Sequence, residues 1–151
     1  AQIHGIFEGD DTSPKILAFL EGTTAYGCVD LAGQTRLSYP PNVRIIRVPS
    51  TGRINVKHLL YAFSEGADGI VFIEGYDSVF DENRLRDHVI RIKKDLQKFG
   101  VKSLRLMSTP TTLPQCNKIV KLFQTFNERI SKMGLIPEEK RQELRENLGG
   151  L

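Results

Sequence analysis

From residue 15 onward, short apolar runs alternate with segments of helical periodicity, and this alternation leaves few folds open. The apolar runs cover 15–20, 43–48, 69–73 and 104–107. Helical segments are expected over 25–38, 55–64, 82–99 and 115–133. Runs of strand length separated by helices imply a parallel sheet covered on both faces. The arginines then order the strands. The runs 16–20 and 69–73 carry no charge, whereas 43–48 holds Arg44 and Arg47 and 104–107 holds Arg105. A strand in the middle of a covered sheet has no water for a charge, but an edge strand does. The first and third runs are therefore central and the second and fourth are edges. The resulting order is 2-1-3-4, a flavodoxin-like three-layer α/β fold with a parallel sheet of about four strands.

Each helical segment presents one apolar stripe. Val56, Leu59, Leu60 and Phe63 line the one at 55–64. Leu85, Val89, Ile92, Leu96 and Phe99 line 82–99, and Ile119, Phe123, Phe126, Ile130 and Met133 line 115–133. Gly66, Gly100 and Gly134 stand just past helix ends, where a positive φ is wanted. Pro137 opens a last charged helix over 138–147, and Leu135 and Ile136 are its paired apolar anchors. A helix with so little apolar surface is expected to lie on a neighbouring protein rather than on its own domain. Residues 1–14, polar and without periodicity, read as an arm that docks on something. The organisation is thus an arm at 1–14, an α/β domain at 15–134 and a helical tail at 135–151, with both ends expected to be ordered only against partner subunits.

Composition closes off several classes. The chain has 151 residues, enough for one domain with a sizeable core. Its net charge of +3 comes from scattered lysines and arginines without a basic block, so nucleic acid is not expected as a partner. No apolar run approaches the roughly 20 residues of a membrane helix. The opening AQIHGIFEGDD lacks the basic and apolar regions of a secretory signal. Cys28 and Cys116 fall in different helical segments, so no disulfide framework is expected, and the expected compartment is the cytoplasm.

In a sheet of this order a ligand sits beyond the carboxyl ends of the strands, at the switch point between the first and third. The loops that meet there are 21–24, 49–53 and 74–82. Glu21, Asp77 and Asp81 suit a hard cation, or are loop acids that cap the next helix. Glu21-Gly22-Thr23-Thr24 reads as a phosphate loop or as a tight turn with an N-cap. Ser50 and Arg53 offer a hydroxyl and a guanidinium to an anion and are expected to line a polar pocket; Arg53 serves equally as the partner of a nearby acid. His4, His58 and His88 are dispersed and read as structural. Cys116, near a helix start, is a thiolate candidate or a half-buried structural residue. Arg84, Arg86, Arg91, Lys93, Lys94 and Lys98 form a solvated helix face or a docking surface for an acidic partner.

A family resemblance is carried by Ile16-Leu17-Ala18-Phe19-Leu20, by Asp30-Leu31-Ala32-Gly33, by Arg36-Leu37 and above all by Tyr39-Pro40-Pro41-Asn42-Val43-Arg44-Ile45-Ile46-Arg47-Val48. It continues through Gly52-Arg53 and Gly66-Ala67-Asp68-Gly69. Over 15–134 the chain resembles the delta subunits of methyl-viologen-reducing hydrogenases. These are small iron–sulfur proteins that connect a hydrogenase or formate dehydrogenase to heterodisulfide reductase in methanogens and some anaerobic bacteria. The resemblance implies a [2Fe–2S] cluster held by a Cys-x-x-Cys pair after the first strand and by cysteines after the second and third. Here those positions are Glu21 and Thr24, then Ser50, then the loop around Tyr76, which has no cysteine. The expectation is a member that keeps the fold, lacks the cluster and acts as a docking module of an anaerobic electron-transfer complex. Implied partners are the flavin subunit of heterodisulfide reductase or a second, cluster-bearing copy. Two alternatives stand beside it: a flavodoxin-like flavin or nucleotide binder, and an enzyme acting on a small anion through Ser50 and Arg53.

Overall fold

The computed structural model describes residues 14–21, 42–48, 54–75, 82–111 and 116–149. Four strands form one parallel sheet: β1 (Ile16–Glu21), β2 (Val43–Val48), β3 (Gly69–Gly75) and β4 (Leu106–Thr111). Their order is β2-β1-β3-β4, as the distribution of charge predicts. Ile16 pairs with Val43 on one side and with Gly69 on the other, and Ile70 pairs with Leu106. The helices are α1 (Val56–Glu65), α2 (Glu82–Lys98), α3 (Cys116–Met133) and α4 (Glu138–Gly149). The expected helix at 25–38 and residues 1–13 of the expected arm at 1–14 lie outside the described residues.

Because side chains alternate along a strand, the central strands feed two cores. Leu17, Phe19, Ile70 and Phe72 point to one face and pack with Leu59, Leu60 and Phe63 of α1 and Val89, Ile92 and Leu96 of α2. Ile16, Ala18, Leu20, Val71 and Ile73 point to the other and meet Phe123, Phe126 and Ile130 of α3. The Phe19 and Phe72 rings meet edge to face at 5.8 Å, a favoured aromatic geometry. Of the stripes expected from spacing, Leu59, Leu60, Phe63, Val89, Ile92, Leu96, Phe123, Phe126 and Ile130 are buried, and Val56, Phe99 and Met133 are partly buried; the side chains of Leu85 and Ile119 lie outside the description.

Local signals set the helix ends. Asn55 caps α1: its Oδ1 accepts from the His58 N–H at 3.2 Å, and the Asn55 N–H donates to His58 Nδ1 at 3.1 Å. The Asn55 cap is worth about 1 kcal/mol, and the reciprocal bond gives His58 a structural role. Gly66, Gly100 and Gly134 all have positive φ, as expected past helix ends.

Two expectations are corrected. Arg105 is not part of the edge strand. It ends a short 3-10 turn (Ser103–Arg105), and β4 starts one residue later and runs through Pro110. Its side chain is buried and donates to the carbonyls of Asp68 (2.8 Å) and Gly134 (3.0 Å). The strand is still an edge, and a proline is tolerated there because one side of the ladder is open. The second correction concerns the tail. α4 does not wait for a neighbour; it packs on α1, with Ile136 and Leu144 buried in the same core as Phe63. Leu135, expected to be its twin anchor, is 43% exposed.

Candidate functional site

The four strands end together. Glu21 pairs with Val48, Leu20 with Ile73, and Gly75 with Thr111, so all four chains leave the sheet at one edge. That carboxyl edge is where a doubly wound sheet takes a ligand. Thr24, Ser50, Arg53, Tyr76, Asp77 and Asp81 lie outside the described residues, as does the Glu21 side chain; so does the expected Ser50–Arg53 pocket. What the structure fixes is the frame. Ile54, the first described residue after the 49–53 loop, is buried, and its carbonyl accepts from His88 Nε2 at 2.7 Å. His88 therefore ties the foot of that loop to α2, a structural role as expected. Cys116 is the first residue of α3 and follows β4 at the same edge. Among the described residues no group of His, Cys, Asp and Glu side chains is arranged to hold a metal ion.

Among the described residues, the most developed polar cluster sits at the other end of the sheet. Asp68, fully buried, is its hub. One carboxylate oxygen accepts from the Lys15 N–H at 3.0 Å. The other accepts from the Ile136 N–H at 2.9 Å and from Arg141 Nη2 at 2.6 Å. Arg141 Nη1 donates to the carbonyls of Phe63 and Ala67. Arg145 donates to the Ser64 carbonyl at 2.7 Å and to Glu138 at 3.0 Å. The last turn of a helix leaves carbonyls without partners, and α1 has no basic residue of its own there. α4 supplies two guanidiniums to those carbonyls. Burial pulls the Arg105 pKa below its ordinary value, while the Asp68 carboxylate opposes that shift.

A cleft of about 370 Å³ opens beside this cluster, lined among others by Lys15, Asp68, Glu138, Arg141 and Arg145. Its arginines already hold protein acceptors, so the arrangement locks elements together rather than offering charge to a ligand. The sequence contained a signal for it: Arg141, Leu144 and Leu148 recur at three and four residues. That stripe places one cation among apolar positions of an otherwise charged helix.

Comparison with known proteins adds the family. The family described as methyl-viologen-reducing hydrogenase, delta subunit, matches residues 16–134. A vhu iron-sulfur subunit of the F420-non-reducing hydrogenase of Methanocaldococcus jannaschii is 30% identical over 128 residues, 82% of this chain and 96% of its own. A vhc iron-sulfur subunit of the same kind of hydrogenase from Methanococcus voltae is 34% identical over 130 residues, covering 83% and 90%. One subunit of the ferredoxin/F420H2-dependent CoB-CoM heterodisulfide reductase of Methanosarcina acetivorans is 28% identical over 153 residues. That match takes in 95% of this chain but 18% of the relative. No helix among the described residues is long and apolar enough to cross a membrane. The family match spans all four strands and α1 to α3, and the chain therefore belongs to the methyl-viologen-reducing hydrogenase delta-subunit family.

Proposed function

We propose that this chain is a partner-holding subunit of an anaerobic electron-transfer complex of the hydrogenase and heterodisulfide reductase kind, working without a [2Fe–2S] cluster of its own. The carrying observation is the donor set. The whole chain has two cysteines, Cys28 and Cys116. The positions that the resemblance assigns to ligands are Glu21, Thr24, Ser50 and the loop around Tyr76. A [2Fe–2S] cluster is held by four cysteines, or by two with two histidines in their place. Loops 21–24, 49–53 and 74–82 contain neither residue type. The residues do not fit the group, so no electron-transfer step is assigned to them.

The relatives support the setting. One kind of relative is a separate hydrogenase subunit, and another carries the matching region as a fraction of a much longer heterodisulfide reductase subunit. A domain found in both contexts suits a chain that holds such partners together. Its neighbours in this reading are a heterodisulfide reductase flavin subunit or a cluster-bearing copy of the family, in the cytoplasm.

Anaerobic purification followed by iron and acid-labile sulfide analysis tests the first half of the proposal. Iron well below one per chain is expected. About two irons per chain, the content of a [2Fe–2S] cluster, would overturn it.

A further inference from the structure

The outward side of α2 carries cations that no described residue pairs. Arg86, Arg91 and Lys94 are exposed, and none of them meets a carboxylate among the described residues. Asp95 is taken by Lys98 at 3.5 Å. In the middle stands Ile90, 45% exposed, with Arg86 one turn before it and Lys93 and Lys94 one turn after.

Lys93 links this face to a second helix. α2 and α3 cover opposite faces of the sheet, and both touch β4. Lys93 is close enough to Arg129 of α3 to feel its charge. Burial lowers the Lys93 pKa, and the positive charge of Arg129 lowers it further. Arg129 itself lies over the Phe126 ring, 5.9 Å from its centre. Two like charges held together cost stability, and no described acid offsets them.

We propose that this surface, centred on Ile90 and running from Arg86 and Lys94 on α2 to Arg129 on α3, docks an acidic face of a partner protein. An exposed apolar side chain with Arg86, Lys93 and Lys94 around it, against the single acid Asp87, suits a protein interface, where a central anchor is buried and the rim sets orientation. Nucleic acid is the weaker fit: phosphates would leave the exposed Ile90 in water. A second copy is also weaker. The acid-rich outer side of α4, with Glu139, Glu143 and Glu146 exposed, is a different surface from this one. A contact between two different surfaces of identical chains closes only if its rotation happens to form a ring. The inference rests on the reading above that the chain works by holding protein partners.

The test uses the full chain, tagged and isolated anaerobically with its complex from the native source. The double variant Arg86→Glu/Lys94→Glu is compared with Lys57→Glu/Lys102→Glu, which changes the net charge equally at exposed positions off α2 and α3. Circular dichroism checks that both are folded. Subunits are identified by mass spectrometry and quantified against the tagged chain. The first variant should lose at least tenfold of the retained redox subunit and the second should keep it. Retention by wild type should fall as salt rises. Zero-length carbodiimide coupling should join Lys93 or Lys94 to partner carboxylates. The surface is wrong if Arg86→Glu/Lys94→Glu retains the subunit, if both variants lose it equally, or if nuclease treatment releases what is bound. If wild type holds no stoichiometric redox subunit, the partner-holding reading itself falls. If it holds one regardless of charge reversal, this surface alone falls.

Discussion

The amino end of the sheet and the outer side of α2 treat charge in opposite ways. Around Asp68 the described buried charges are matched: Arg141 has a carboxylate and two carbonyls, and Arg105 has two carbonyls. On α2 and α3, Arg86, Arg91, Lys93, Lys94 and Arg129 have no described carboxylate. A buried charge left alone is expensive, so folding demands its partner; an exposed charge loses little by staying in water. The first region is therefore about stability and the second is free to serve binding. The contrast also explains the Gly66-Ala67-Asp68-Gly69 motif. Gly66 takes a φ of 132° where α1 stops, and Asp68 is the hub. A methyl group on Gly69 would sit 2.7 Å from the Phe126 ring and 2.8 Å from Ile130.

The comparison breaks most easily at Asp68. Asp68→Ala should cost about 3–5 kcal/mol in urea unfolding, because Arg141 remains buried without its counter-charge. Arg141→Met in the same background should cost much less than its effect in the wild type, since the two residues share one interaction. A loss under 1 kcal/mol for Asp68→Ala would mean that the cluster is ornamental and the contrast empty.

Next in size is Leu144→Ala, expected to cost about 2–4 kcal/mol as a large-to-small change in a closed core. The measurement separates an integral α4 from a frayed tail, for which the change would be within about 0.5 kcal/mol. The relatives bear on this too. The family match ends at residue 134, but a match over 95% of the chain cannot stop before Arg141 wherever it starts. Gly69→Ala should follow at about 1–3 kcal/mol, by overpacking against α3 from the opposite face.

The architecture was legible in the sequence because two periodicities and the absence of charge in 16–20 and 69–73 suffice to order the strands. Arg105 shows where that logic was right for a partly wrong reason: it sits beside the edge strand, buried by its contacts with Asp68 and Gly134, instead of within it. α4 is misread from sequence when its few apolar residues are judged without Arg141. An arginine that caps another helix and pairs with a buried acid behaves as a core residue, and composition alone cannot say so. The candidate site was legible only as an edge. Topology gathers the ends of β1, β2 and β3, but what Glu21, Ser50, Arg53 and Tyr76 do there depends on loop conformation, for which no periodicity exists.

The smallest effect expected is at Lys93, and it sharpens the contrast from the other side. Lys93 is partly buried beside Arg129, and both circumstances disfavour its charged form in the folded chain. Its pKa in the fold is thus below its unfolded value. Between those two values the unfolded chain binds more protons, so stability rises with pH through that window and levels off above the unfolded value near 10.5. Lys93→Met keeps the stem and removes the ammonium. It should leave stability at pH 7 within about 0.5 kcal/mol of wild type, on the stabilising side, and should remove that alkaline rise. Urea unfolding at pH 7 and across the approach to pH 10.5 measures both. A clear destabilisation by Lys93→Met would show that its charge is matched within the fold, and the distinction between paired interior and unpaired surface would fail at the residue that joins α2 to α3.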